Sequence, residues 1–573
     1  MFSTRKPLDF EYLRRQTVGM DETIATPFGK RLMVYGDYTA SGRCLGFIED
    51  IMRHHQAIYA NTHTEDDETG RTTSLLLQEA EQIIKKSVNA QDHNCIVTCG
   101  AGATACIYRL QQILGIALPT TTWTHIDDQL KESLSEEGVS AFRDRLERTR
   151  PVVFVGPYEH HSNEISWRAG LATVVEVDLD EDGGISLDHL AKLLQEPQYE
   201  DRLRVGSFSA ASNVTGMRSP VHEIAKILHH HDALACFDYS ASAPYEAIDM
   251  NPADDGSGEN ASLDAIFLSP HKFIGGPGSS GVLIFDEKIY ARDMAPSIAG
   301  GGTVAYVNQV EQDFFSDIEE REKAGTPGIL QTLKAALAFA VKDSIAVDEI
   351  EARERELLLR AFDVWGKNPA IEILGNPDPA RRIAIVSFNV LSPDGRYLHP
   401  KFVTVLLNDL FGVQSRAGCA CAGPYGHRLL GIDLEMSQKY RDAINSGIAG
   451  VKPGWCRVNL HFTMDDAEAQ YLIDAVNFVA SHGHLFLELY EFDLVSGLWS
   501  HRNALPIQAD LLSAGKKRRR FMPLVMRKYL YRSYLRAARG WAERLGANPP
   551  QEEQVLPENL KDLQFFALPP RAT

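Results

Sequence analysis

The sequence predicts an α/β protein. Its larger part reads as a mostly parallel sheet covered by helices, followed by a smaller α+β unit and a basic helical extension. Three observations carry this reading. From Cys95 onward, short apolar runs alternate with amphipathic segments of helical period, the pattern of strands joined by crossover helices. Thr104, His160, Asn213, Asp238 and Lys272 all fall at or just beyond the carboxyl ends of these runs, where parallel sheets gather their functional groups. From about Tyr490 the composition turns basic.

Composition narrows the class. With 573 residues, 44% hydrophobic and 24% charged, the chain has room for two or more domains with large cores. A net charge of -19 and a pI near 5.5 argue against a nucleic-acid-binding protein overall. No apolar run reaches the length of a membrane span, so no membrane partner is expected. Met1 to Lys6 lack the apolar core of a signal peptide. Arg14 and Arg15 would suit a transit peptide, but Asp9 and Glu11 count against it. The eight cysteines are too sparse for a disulfide framework, so reduced thiols and a cytoplasmic location are expected.

The elements follow in order. Residues 1–45 are mixed and polar, and are expected to pack on the small domain. Helical patterns cover Gly46–Tyr59 and Thr72–Lys86. Cys95–Thr98 is a buried strand broken by Gly100-Ala101-Gly102-Ala103-Thr104, and Ala105–Leu114 is helical. Strands follow at Pro151–Val155, Ala172–Val177, Leu203–Ser209, Leu234–Asp238 and Ala265–Leu268, with helices at Leu187–Leu194 and Val221–His230 between them. Gln331 to about Trp365 reads as one long helix or two, leading from a large domain (46–345) into a small one (346–489). There, Arg381–Asn389 and Cys456–Phe462 read as strands, and Lys401–Phe411 and Asp465–Ser481 as helices. Asp465 and Asp466 fall in the first turn, where acids suit the helix dipole. Gly412 to Arg416 opens a loop rich in cysteine and glycine.

The extension, 490–573, carries Lys516-Lys517-Arg518-Arg519-Arg520 and then spaced arginines from Arg527 to Arg544, with Tyr529, Leu530, Tyr534, Leu535 and Trp541 among them. This reads as a basic amphipathic helix or helix pair. An accessory helix folding back on the acidic body is one account; nucleic-acid binding, a membrane surface and a nuclear localisation signal are others.

The stretch Ser269-Pro270-His271-Lys272-Phe273-Ile274-Gly275-Gly276-Pro277-Gly278 sets a lysine at the end of an apolar strand. Lysine is poorly tolerated in buried positions unless paired or chemically used. One account is a surface turn whose lysine points to water; the other is a Schiff-base lysine. Pyridoxal phosphate needs such a lysine, an acid at its pyridine nitrogen, a flat group over its ring and a phosphate cradle. Lys272, Asp238 at a strand end, His160 after a strand, and Gly100–Thr104 before a helix supply each in turn. His271, beside the lysine, is a further candidate for the phosphate.

Taken in order, these pieces resemble the class V aminotransferase family of fold-type I pyridoxal-phosphate enzymes, nearest to cysteine desulfurases and selenocysteine lyases. The matching motifs are Ala103-Thr104, Glu159-His160-His161-Ser162-Asn163, Ser212-Asn213-Val214-Thr215-Gly216, Asp238, Ser269-Pro270-His271-Lys272, Gly300-Gly301-Gly302-Thr303, Ala324-Gly325-Thr326-Pro327, Arg416-Ala417-Gly418-Cys419-Ala420-Cys421-Ala422 and Cys456-Arg457-Val458-Asn459-Leu460. The resemblance spans roughly residues 30 to 485. It implies a seven-stranded, mostly parallel sheet in the large domain. It implies that His160 stacks on the cofactor ring, Asn213 lies near its O3′, Asp238 pairs with N1, and Ala103, Thr104, Ser269 and His271 hold the phosphate. Thr303 would reach the phosphate of a neighbouring subunit, which implies a homodimer with shared sites. Arg457 would clamp a substrate carboxylate, with Arg416 nearby, although a surface strand residue is the other account of Arg457. Cys421 aligns with the nucleophilic cysteine. Cys419 and Cys421 also read as a metal or redox pair, but two ligands make a poor zinc site and no second pair follows, so no metal is expected.

The implied activity is a C–S or C–Se lyase acting on cysteine or a similar amino acid. Lys272 would shuttle the α-proton, His160 would donate a proton, and Cys421 would take the sulfur as a persulfide for an acceptor protein. Two features depart from the family. Ala241 stands where relatives place a glutamine, and Arg321-Glu322-Lys323 stands where they often read Arg-x-Glu. An aminotransferase, epimerase or β-lyase on another amino acid stays open, as does a catalytically degenerate sulfur-relay or scaffold protein.

Overall fold

The computed structural model describes residues 8–62, 64, 66–419, 421–504, 506, 521–547 and 554–570. The basic run Lys516–Arg520, the N-terminal Met1–Lys6 and Ala420 of the cysteine loop lie outside the described residues. The chain divides into two compact units, one holding 41–212 and 217–348 and the other 9–40, 213–216 and 349 onward.

The first unit is organised by a seven-stranded sheet. Its strands are β1 (Asn94–Cys99), β2 (Val152–Val155), β3 (Thr173–Glu176), β4 (Arg204–Ser209), β5 (Leu234–Asp238), β6 (Ala265–Leu268) and β7 (Gly281–Asp286), in the spatial order β1-β7-β6-β5-β4-β2-β3. Strands β2 to β6 pair in parallel, while β7 runs antiparallel to both β6 and β1. This is the mostly parallel seven-stranded sheet the sequence implied. Continuous apolar runs such as Val152-Val153-Phe154-Val155 and Ala265-Ile266-Phe267-Leu268 are buried throughout, as strands covered on both faces must be. Because β7 is antiparallel to both its neighbours, β1 runs the same way as β6. The carboxyl ends of β1, β2, β4, β5 and β6 therefore share one edge.

The 331–365 pattern resolves into two helices, Ile329–Asp343 and Val347–Trp365. Two further helices, Thr120–Ser133 and Glu136–Thr149, went unread in the sequence. The first buries no residue and the second buries Val139, so neither carries a strong apolar period.

The second unit holds a four-stranded antiparallel sheet of β8 (Ile371–Ile373), β9 (Ile385–Val390), β10 (Arg416–Gly418) and β11 (Trp455–Asn459), in the order β8-β9-β11-β10. The helices Pro400–Phe411 and Asp466–His482 contribute Phe402, Leu406, Leu410, Leu472 and Val476 to the core that also takes Val458. Asp465 is the N-cap of the second helix instead of a first-turn residue, accepting the Ala467 and Glu468 N–H groups at 3.1 and 2.9 Å. The loop expected from Gly412 to Arg416 is instead strand-forming, over Val413–Gln414 and Arg416–Gly418. Gly412 has φ +73°, and a Cβ there would lie 2.1 Å from the Leu32 carbonyl oxygen. The chain turns at once into Val413–Gln414, paired in parallel with Val34–Tyr35, and then into β10.

Within the extension the described residues form one helix, Leu524–Gly546. Tyr531, Tyr534, Ala538, Ala542 and Leu545 recur every three or four residues and join the second unit's core. The Tyr531 ring stacks on Tyr471 at 4.1 Å and 12°. Lys528, Arg532, Arg536 and Arg539 stay exposed, and Arg527 turns inward to bond Asp465. Arg14, on the N-terminal helix Phe10–Gln16, completes the buried charge group with Asp21 at 3.2 Å and Glu468 at 3.0 Å.

Two histidines of this unit are buried among aromatic rings. His461 stacks on Tyr38 with centroids 3.7 Å apart, and His399 meets Phe566 at 4.6 Å. Burial pushes both imidazoles down to about 3. Unfolded, each takes up a proton below about 6.5. The stability they contribute is complete above that value and is lost as pH falls toward 3. The urea midpoint of the chain should therefore fall between pH 6 and 4, and His461→Gln should remove about 1.4 kcal/mol per pH unit of that slope.

Candidate active site

The candidate residues fall into two groups, one in each unit. In the first unit they line the carboxyl edge of the sheet. Strand β1 ends at Cys99, and Gly102, at φ -174°, is the N-cap of the helix Ala103–Ile113. The first N–H of that helix, on Ala103, donates to Ser269 Oγ at 2.9 Å. A Cβ on Gly102 would lie 3.3 Å from Ser269 Oγ and 3.5 Å from His271 Nε2. The backbone of Gly102, the Ser269 hydroxyl and the His271 ring thus converge where the helix presents its positive end, an arrangement suited to an anion. Ser240 Oγ stands 3.0 Å from Ser269 Oγ, a third hydroxyl-bearing position that the sequence reading did not single out.

Asp238 ends β5 and is 5% exposed. Among the described residues its side chain takes one hydrogen bond, from the Ser240 N–H at 2.9 Å, and forms no ion pair. Lys272 closes the short turn Pro270–Lys272 after β6 and is half-buried. The turn is tight: a Cβ on Gly276 would fall 1.8 Å from the Pro270 carbonyl oxygen. The His271 imidazole is pushed down to about 4, by burial first and then by the neighbouring Lys272 ammonium. At neutral pH it therefore meets an anion as a neutral ring.

His160 is joined to the cradle through Ser162. Thr104 Oγ1 and Ser162 Oγ are 2.7 Å apart, and Ser162 Oγ lies 3.1 Å from His160 Nδ1. The Ser162 backbone N–H also donates to that Nδ1 at 3.1 Å. A backbone N–H is always the donor, so Nδ1 accepts and the neutral ring carries its proton on Nε2. Glu159 anchors this loop from below. It accepts the Gly156 and Ser209 N–H groups at 3.2 and 2.8 Å, and the Ser209 hydroxyl and Asn163 amide at 2.7 Å each. Burial outweighs these bonds and pushes its carboxyl up to about 7. Thr303 makes no hydrogen bond to the cradle among the described residues. Its buried hydroxyl closes a turn, donating to the Gly300 carbonyl at 2.7 Å.

The second group lies in the other unit. Arg457, on β11, is 5% exposed. Its Nη1 donates to the Asn213 carbonyl at 2.8 Å and its Nη2 to Asp37 Oδ1 at 3.3 Å. Arg416 Nε reaches the same Asp37 carboxylate, at 3.0 and 3.3 Å. Asn213, Arg457 and Arg416 are thus brought together, and Asp37 is the member the sequence reading missed. Cys421 is exposed at φ +56°, and Cys419 is half-buried. The left-handed conformation is costly for a side chain with a Cβ, and such strain concentrates at functional loops.

Comparisons with known proteins identify the family and the fold. The family model for aminotransferase class V matches residues 139–472. The chain belongs to the class V aminotransferase family. It is 30% identical over 276 residues to a probable cysteine desulfurase of Halalkalibacterium halodurans, and 32% identical over 282 residues to probable cysteine desulfurase 2 of Mycobacterium leprae. Each match covers 48% of this chain and 62% of the relative's length. Its fold is similar to that of the apo cysteine desulfurase from Thermococcus onnurineus, with a TM-score of 0.62 and 19% identity, covering 84% of this chain and all of that one. The cysteine desulfurase CsdA from Escherichia coli is similar at a TM-score of 0.60 and 19% identity, over 82% of this chain and 98% of that one.

The Glu159 network makes a direct prediction. Glu159→Ala strands its buried donors together, and should lower the chain's unfolding free energy by about 3 kcal/mol, read from urea denaturation at pH 8. A loss below 1 kcal/mol would show that water replaces the carboxylate.

Proposed function

We propose that this protein is a pyridoxal-phosphate-dependent lyase of the cysteine desulfurase type, converting cysteine to alanine and passing the sulfur to Cys421. The observation that carries the reading is Asp238, a buried carboxylate without a cationic partner among the described residues, on the strand beside β6, whose chain runs on into the turn that Lys272 closes. A buried carboxylate is costly unless a positive group faces it, and a protonated pyridine nitrogen is such a group. The cradle at Gly102, Ala103 and Ser269, where a Cβ would crowd the oxygen and imidazole already present, suits the phosphate. These residues fit the cofactor. Lys272 Nζ would hold its aldehyde carbon, Thr104 and His271 would flank the phosphate, His160 would cover the ring, and Asn213 would lie near its O3′. When bound, pyridoxal phosphate supplies the sink for electrons released at the substrate's α-carbon.

The protein's own groups do the rest. Arg457 binds the substrate carboxylate. Lys272 Nζ takes the α-proton and returns it. The Cys421 thiolate attacks the substrate sulfur as the Cβ–S bond breaks, and His160 Nε2 gives a proton. The balance is cysteine plus a Cys421 thiol giving alanine plus a Cys421 persulfide, with no external oxidant. A second thiol, on an acceptor protein, takes the outer sulfur. The reading includes a homodimer with shared sites and a cytoplasmic location. Exposed Tyr306, Val307 and Val310, on the hairpin that follows Thr303, support an interface there. A second reading, an aminotransferase, epimerase or β-lyase on another amino acid, is favoured by Ala241, a small buried residue where relatives carry glutamine.

Three variants separate the roles. Lys272→Ala should lack the visible absorbance of lysine-bound pyridoxal phosphate. Cys421→Ala should keep that absorbance and lose sulfur release; full release would sink the nucleophile and favour the second reading. His160→Phe keeps a flat ring without the Nε2 proton, so cofactor retention should persist while kcat falls about 100-fold.

A further inference from the structure

The clamp arginine and the entrance of the cysteine loop face each other across one ladder. Strand β10 pairs antiparallel with β11, and Arg416 is directly opposite Arg457. Two like charges in that relation repel. The Asp37 carboxylate bonds both. Asp37 Oδ1 takes Arg457 Nη2 at 3.3 Å, and Oδ2 takes Arg416 Nε at 3.0 Å. Asp37 is itself held at a fixed point of the backbone. The Gly36 N–H donates to the Gln414 carbonyl at 2.9 Å, and the Gly36 carbonyl accepts the Asn459 N–H at 2.8 Å. The two arginines differ in freedom. Arg457 is buried and also bonded to the Asn213 carbonyl at 2.8 Å. The Arg416 side chain is 51% exposed, and its strand leads into Cys419 and Cys421.

We infer that Asp37 is a positioning residue that couples occupancy of Arg457 by a carboxylate to the hold on the Cys421 loop. The inference rests on the reading of Arg457 as the substrate-carboxylate clamp. A carboxylate shared between two guanidiniums holds each less firmly than it would hold one. A ligand carboxylate on Arg457 brings its own negative charge and competes for Nη2, whose bond to Asp37 is the longer of the two. Asp37 then serves Arg416 without a rival. The first residue of β10 is held more tightly, and the loop that carries Cys421 loses freedom. An amino acid is in this way sensed at its carboxylate by the segment that bears the thiol.

The test uses the pyridoxal-phosphate-loaded protein and the rate at which iodoacetamide alkylates Cys421, followed by peptide mass spectrometry. L-Alanine should slow that alkylation about fivefold, a typical size for coupling between neighbouring groups. Ethylamine, the same molecule without the carboxylate, should leave the rate unchanged. Asp37→Asn and Arg416→Gln should each remove the response to L-alanine. Arg416 is exposed, so the second variant keeps the test available if the first fails to fold. Protection by L-alanine that survives in both variants would mean simple occlusion and overturn the coupling, as would a parent protein indifferent to L-alanine. Titration of Arg457→Ala with L-alanine, followed by visible absorbance, tests the clamp separately. An unchanged affinity there would sink the clamp reading, whatever the alkylation rates show.

Discussion

A carboxylate taken out of water without a cationic partner is among the most costly groups a fold can carry, and Asp238 is such a group among the described residues. Its position depends on the parallel register of β4, β5 and β6, which brings Ser209, Asp238 and Phe267 level. The same register fixes where β6 releases its chain into Ser269 and Lys272. One arrangement of backbone hydrogen bonds therefore sets the acid, the lysine and the cradle hydroxyl at one edge of the sheet. The antiparallel strand β7 between β6 and β1 restores the direction of β1, so the helix N-terminus after Gly102 arrives at the same edge. The arrangement of candidate residues in the first unit follows from strand direction more than from any loop.

The second unit handles charge differently. Two of its charge groups share carboxylates: Asp37, remote in the chain, lies between Arg416 and Arg457, and around Arg14 stand the nearby Asp21 and the remote Glu468. Each such group replaces hydration with several short contacts, and removal of one member leaves others buried and unmatched. Precision in arginine placement is obtained here through shared acids, and sharing links positions that have no covalent relation.

Much of the first unit was legible in the sequence because its strands are doubly covered and read as unbroken apolar runs. Lys272, Asp238, His160 and the glycine turn were legible through their order along those runs. Ser240 and Ser162 were not, since a serine near a strand end has no pattern of its own until the neighbouring strand is in place. Asp37 was hidden for a related reason. Its partners lie at 416 and 457, and nothing local in Tyr35-Gly36-Asp37 signals them. The helices at 120–149 escaped because they bury almost nothing, so tertiary burial left no periodic imprint.

The helix Leu524–Gly546 lies beyond the segment that resembles the family, yet Tyr531, Tyr534 and Ala538 are part of the same core as Tyr471 and Leu472. The family-like portion of this chain is thus not a self-sufficient module. Cut at its homology boundary, it would present the faces of Asp466–His482 and Pro400–Phe411 to solvent as an adhesive surface. Expressed alone, the family-like portion would aggregate through these faces.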